Sequence, residues 1–185
     1  AMLLALILRG VSFEFRWKAQ GGRWIWDAAF IAGSTIASFM QGVALGALLQ
    51  GITVDKAARA YAGGWGGWFT PFSAFVGLAV VVGYALLGAT WLVSKTTGDL
   101  QERMRRRAWF LGLATVGFIA AVSLWSPFLQ DGYFYRWFEG THILWAAGVA
   151  ALVAGLTWAL FHALHVHRHD HWPFRAALGL FVVSF

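Results

Sequence analysis

Lys95-Thr-Thr-Gly98-Asp99-Leu-Gln-Glu102-Arg103-Met-Arg105-Arg106-Arg107 is a short basic stretch between two long apolar ones. Residues 72–93 and 109–128 contain no Asp, Glu, Lys or Arg. Each is about as long as a helix needs to be to cross the hydrocarbon of a bilayer, roughly 20 residues. A soluble domain has no use for two such runs back to back. The basic stretch between them belongs on the cytoplasmic side, because positive loops resist translocation. The sequence therefore describes a multi-span membrane protein that carries its own orientation signal.

The remaining composition agrees. Of 185 residues, 59% are hydrophobic, 17% aromatic and only 12% charged. A typical soluble domain carries about 25% charge. Twelve Trp and 22 Gly fit a membrane chain, where Trp collects at the headgroup level and Gly is common in helices. The net charge of +6 does not point to nucleic acid, because the positive residues lie between apolar spans and form no basic face on a polar chain. With no Cys, disulfides, thiolate metal sites and thiol catalysis are excluded.

Two further apolar runs complete the pattern. The expected fold is all-α: a polytopic transmembrane helix bundle with complete spans at about 28–50, 72–93, 109–128 and 143–161. Shorter apolar stretches at 1–8 and 176–185 read as partial helices cut at both ends, so the chain is expected to be a fragment. Helices are required because backbone groups in lipid must be satisfied within the segment. The whole of 1–185 reads as a single integral-membrane domain.

Loop charges alternate. Loops 9–27, 94–108 and 163–175 hold eleven Lys and Arg, against three in 51–70 and 129–142. The first set is expected to face the cytoplasm of a bacterial or archaeal cell, with the chain in its cytoplasmic (inner) membrane.

Gly42 and Gly46 are spaced as G-x-x-x-G, and Ala147, Ala151 and Gly155 share a helix face. Small residues let membrane helices approach closely, and packing within the chain is the expected use of both faces. Gln41 and Gln50 are placed to hydrogen-bond across helices. Pro71 suits the first position of a helix. The run Gly63-Gly64-Trp65-Gly66-Gly67-Trp68 reads as a turn anchored by interfacial Trp.

Several residues bear on chemistry. The histidines are His142, His162, His165, His167, His169 and His171. His142 and His162 lie at opposite ends of one helix, about 30 Å apart by helix rise, and cannot share an iron. Met40 is mid-span but stands alone. Haem binding by this chain is not expected. His162, His165 and His169 share a helix face if the helix reaches that far, which makes them weak metal candidates. Imidazoles also suit a helix C-terminus at an interface, and that reading is preferred. Glu14, between Arg9 and Arg16, is either an interfacial ion pair or a proton-relay carboxylate at a cytoplasmic entrance. Asp27 reads as a favourable charge near a helix start.

The stretches Arg9-Gly-Val-Ser-Phe-Glu-Phe-Arg16, Gly42-Val-Ala-Leu-Gly-Ala-Leu-Leu-Gln-Gly51, Phe69-Thr-Pro-Phe72 with Gly77, and Gly88-Ala-Thr-Trp-Leu-Val-Ser-Lys-Thr-Thr-Gly-Asp-Leu-Gln-Glu-Arg103 resemble subunit II of the cytochrome bd quinol oxidases. They lie between residues 9 and 107 in family order; from Trp109 onward only the hydropathy agrees. The resemblance implies a subunit of eight helices in two four-helix bundles, with this chain running from late in the second helix into the seventh. It implies a heterodimer with subunit I, which carries haems b558, b595 and d and the quinol site, while subunit II binds none. It implies an electrogenic quinol oxidase that reduces oxygen to water with cytoplasmic protons, with quinone and membrane lipids as further partners and no nucleic acid. In the family, the acid of the Arg-Gly-x-x-Phe-acid-x-Arg motif lies on a cytoplasmic proton path. That acid falls on Glu14 here, with Arg9 and Arg16 as ion-pair and tuning residues. A further path acid and a Trp belong to a more N-terminal part of the family. The rival readings are a small multi-span transporter, expected to show broken helices and mid-membrane polar groups, and a di-haem electron carrier.

Overall fold

A computed structural model describes residues 1–51, 54–55, 60–61, 64, 66–129, 142–166 and 171–184. Six helices dominate the described residues: α1 (Met2–Lys18), α2 (Arg23–Gln50), α3 (Pro71–Lys95), α4 (Asp99–Trp125), α5 (His142–His165) and α6 (Trp172–Ser184). A 3-10 turn (Ser126–Phe128) extends α4. Four of these helices are long and apolar enough to cross a membrane, and they coincide with the four expected spans. The sequence did not signal the two-residue antiparallel ribbon between β1 (Val54–Asp55) and β2 (Ala60–Tyr61) in the 51–70 connection. Gly63 and Trp65 of the Gly-Trp run lie outside the described residues.

The helices outrun the hydropathy. The expected loop 9–27 is mostly helix, because α1 continues to Lys18 and α2 already begins at Arg23. The expected loop 94–108 shrinks to residues 96–98, and α6 starts inside the expected loop 163–175. Hydropathy marks where lipid ends, whereas a helix continues until a residue breaks it. The breaks here are glycines: Gly22 and Gly98 have φ of 69° and 70°, a left-handed backbone that L-residues avoid.

The chain divides into two compact units, Ala1–Val81 and Val82–Phe185. In the first, α1 and α2 form an antiparallel hairpin around the Gly21-Gly22 turn. Ala5, Ser12 and Ala37 are buried in it, and Phe15 stacks on Trp26 with ring centroids 5.0 Å apart. A Cβ at Gly33 would meet the Ala5 carbonyl oxygen at 2.7 Å, so only glycine permits this approach. The same device joins α2 to the start of α3. Cβ atoms at Gly42 and Gly46 would lie 2.7 Å from Gly77 Cα and 2.6 Å from Ser73 Cα. The G-x-x-x-G face therefore packs within the chain, around buried Val43, Phe72, Val76 and Val80. Gln50 bonds across, as expected: the Thr70 hydroxyl donates to its Oε1 at 2.5 Å. The other small-residue face behaves differently. Ala147, Ala151 and Gly155 are exposed, and nothing lies within 4 Å of a Cβ placed on Gly155.

The second unit is built on Leu86, Ala89, Ala108, Leu160, Leu164, Ala176, Ala177 and Leu180. Phe181 of α6 covers Gly83 and rests on Tyr84, and Phe174 meets Trp91 edge-on at 5.1 Å. Gln101 closes the α3–α4 turn by donating to the Val93 carbonyl at 2.9 Å. At the same end Arg105, only 7% exposed, donates from Nη1 to the carbonyls of Leu164 (3.1 Å) and Ala163 (3.5 Å). These are orphan acceptors in the last turn of α5, where a cation also complements the helix dipole. Arg105→Leu removes a charged donor from buried carbonyls. Such bonds contribute about 1.5–3 kcal/mol each, so thermal unfolding in detergent is expected at a clearly lower temperature, with Arg105→Lys recovering part of the loss.

Candidate functional site: the charged end of the first helix hairpin

The charged residues of 9–27 gather where α1 turns into α2. Ala5, Arg9, Ser12 and Arg16 recur at helical spacing and form the stripe of α1 that faces α2. Ser12 is fully buried and returns its hydroxyl to the Leu8 carbonyl at 2.5 Å. Arg9 places its guanidinium over the Phe30 ring, 5.4 Å from the centroid. Arg16 pairs through Nε and Nη2 with the Asp27 carboxylate on α2. That bridge ties the two helices together beside their turn and gives Asp27 a specific partner beyond the helix dipole.

Glu14 lies off this stripe and is exposed. Its direct partner is Lys18, whose ammonium donates to Oε1 at 3.0 Å. Arg9 and Arg16, the two expected neighbours, are engaged with α2. Lys18 was not singled out from the sequence, although the Glu-to-Lys spacing of four is legible once the helix is known to run past Arg16. Exposed pairs of this kind stabilise by less than about 1 kcal/mol, so the pair's contribution to stability does not explain the cluster. What the arrangement provides is a carboxylate in contact with water and paired with a cation one helical turn on. A water-accessible carboxylate is a group of the kind that serves in general acid–base work.

The histidines are placed otherwise. His142 opens α5, and His162 lies near its other end, stacked on Trp158 with centroids 5.0 Å apart and planes 9° from parallel. His165 borders a cleft shared with Arg105 and Trp109. His169 lies outside the described residues. Among the described residues no three His, Cys, Asp or Glu side chains stand close enough to hold a metal ion. Axial ligation of haem calls for His, Met or another donor aimed at the iron. Among the described donors, His162 and His165 sit together at one helix end, and Met40 is a half-buried residue of α2.

The Arg105 contact also brings the 94–108 and 163–175 regions to one end of the second unit. Alternating loop charge requires that pairing.

Comparison with known proteins extends the match beyond the motifs. The family described as cytochrome bd terminal oxidase subunit II matches residues 1–185, including the stretch after Trp109 where hydropathy alone had agreed. The chain is 34% identical over 137 residues to the cytochrome bd-I ubiquinol oxidase subunit 2 of Escherichia coli strain K12, covering 71% of this chain and 36% of that protein. It is 32% identical over 138 residues to the cytochrome bd ubiquinol oxidase subunit 2 of Bacillus subtilis, covering 73% and 40%. With a probable cytochrome oxidase subunit 2 of Haemophilus influenzae it shares 28% identity over 189 residues, covering 86% and 50%. The matches thus span between about a third and a half of the relatives' length. Helices, charged hairpin end and whole-chain match together place the chain in the cytochrome bd terminal oxidase subunit II family.

Proposed function

We propose that the chain is part of the subunit that binds no haem in a membrane quinol:oxygen oxidoreductase. Its work is to support a haem-bearing subunit I and to help bring protons from the cytoplasm to the site of oxygen reduction. The observation that carries the reading is the family match over all 185 residues. The Escherichia coli and Bacillus subtilis relatives are named as subunits of ubiquinol oxidases.

The haems of the complex supply electron transfer and oxygen reduction when bound, and in this reading they belong to the partner. This chain's own contribution is structural and electrostatic. Its glycine-mediated helix contacts give a rigid support, and Glu14 with Lys18 exchanges protons with water at the cytoplasmic end of α1. Uninterrupted helices along the four spans favour this over a transporter, whose substrate sites use broken helices near the midplane.

The test is purification of the complete tagged protein in mild detergent. The expected result is a second, haem-bearing chain in equal amount and quinol-dependent oxygen consumption. A lone chain that drives solute uptake in proteoliposomes would support the transporter instead.

A further inference from the structure

The second unit has a cleft of about 370 Å³ bordered by Glu102, Arg105, Arg106, Trp109, Phe110 and Leu164, with His165 at its edge. We propose that this cleft binds the phosphodiester headgroup of one anionic phospholipid of glycerol type. Charge comes first. Among the described lining residues, Arg105 and Arg106 bring two guanidinium groups against one carboxylate, Glu102, a lining that favours an anion. Arg105 is held in place by the last carbonyls of α5, so its charge is positioned before any ligand arrives. Arg106 is exposed, and among the described residues it takes part in no salt bridge.

Shape favours a lipid over a free anion. Arg106, Phe110 and Leu113 continue one stripe of α4 at helical spacing. Phe110 and Leu113 are 62% and 54% exposed, an apolar track on which acyl chains can lie directly below the headgroup. Trp109 lines the cleft where the basic stretch gives way to the apolar run 109–128, a boundary of the kind at which Trp collects in membrane proteins. Basic pockets between helices on the cytoplasmic side are a recurring form of lipid headgroup site. Glu102 selects among headgroups: its carboxylate accepts hydrogen bonds from glycerol hydroxyls, which phosphatidylglycerol offers.

The probe is the complete oxidase, stripped of lipid by detergent exchange and titrated with phosphatidylglycerol, phosphatidylethanolamine or inorganic phosphate. Retained lipid is read by native mass spectrometry. The expected result is one phosphatidylglycerol held about tenfold more tightly than phosphatidylethanolamine, a difference of about 1.4 kcal/mol. Arg106→Gln removes that preference, Arg103→Gln keeps it, and millimolar phosphate does not displace the lipid. Arg106 lies outside the charged hairpin end, so the haem spectrum and turnover in lipid-replete membranes serve as controls for folding. Equal retention of the two lipids, an unchanged Arg106→Gln complex, displacement by phosphate, or preferential retention of phosphatidylethanolamine through its amine on Glu102 would each overturn the proposal.

Discussion

Replacing Glu14 with Ala or Gln in the complete oxidase is expected to slow oxygen reduction at least about tenfold, while the haem spectrum and subunit stoichiometry stay normal. The size follows from the general effect of removing a positioned proton-transfer group, commonly about 10²–10⁴-fold, reduced because an exposed carboxylate has water as a partial substitute. The assembly side of the prediction follows from geometry. Glu14 is exposed and its single described ion pair is with Lys18 four residues on, so removing it unpacks nothing. Glu14→Asp keeps a carboxylate and should retain most of the turnover. Two readouts separate proton delivery from a structural role. Turnover of Glu14→Gln should fall more steeply with rising pH than that of the parent, because protons become scarcer at the entrance, and its solvent deuterium isotope effect should increase. Normal turnover in Glu14→Ala removes the relay assignment.

The second large effect is on stability. Gly42→Ala and Gly46→Ala each force a methyl group against α3 backbone at 2.6–2.8 Å. Overpacking of this kind typically destabilises by about 1–3 kcal/mol. Here the obstructing atoms are backbone, which cannot rotate away, so the upper part of that range is expected. Gly42→Leu is expected to abolish accumulation of the protein in membranes. Gly88→Ala is the control. A Cβ at Gly88 has nothing within 4 Å, and Ala is the better helix former by about 1 kcal/mol. Thermal unfolding in detergent should therefore show the two α2 variants well below the parent and Gly88→Ala level with it or above it. If Gly42→Ala and Gly46→Ala unfold with the parent, the close α2–α3 approach is wrong.

The spans were legible because lipid imposes one rule, an uncharged run about 20 residues long, and all four such runs became helices. Where helices end was not legible from that rule. Residues such as Arg9, Arg16 and Arg103 are expelled from hydrocarbon but are good helix formers, so α1 and α4 include much of what charge alone marks as loop. The use of small residues was legible by spacing but not by partner. Gly42 and Gly46 found α3, while the matching face of Ala147, Ala151 and Gly155 is exposed. The candidate site divided in the same way. Glu14 stood out as an acid beside basic residues at a span's edge. Its partner Lys18, and the engagement of Arg9 with Phe30 and of Arg16 with Asp27, depend on which way each side chain leaves α1. That direction is fixed only once the helix is known to be continuous through residue 18.

The most direct test of the account is the visible absorption spectrum of the complete subunit after separation from its partner in detergent. The expected spectrum has no Soret band, and all haem absorbance travels with the other chain. A Soret band in stoichiometric amount with this subunit alone would mean that it holds an iron of its own, and the division of labour proposed here would be wrong.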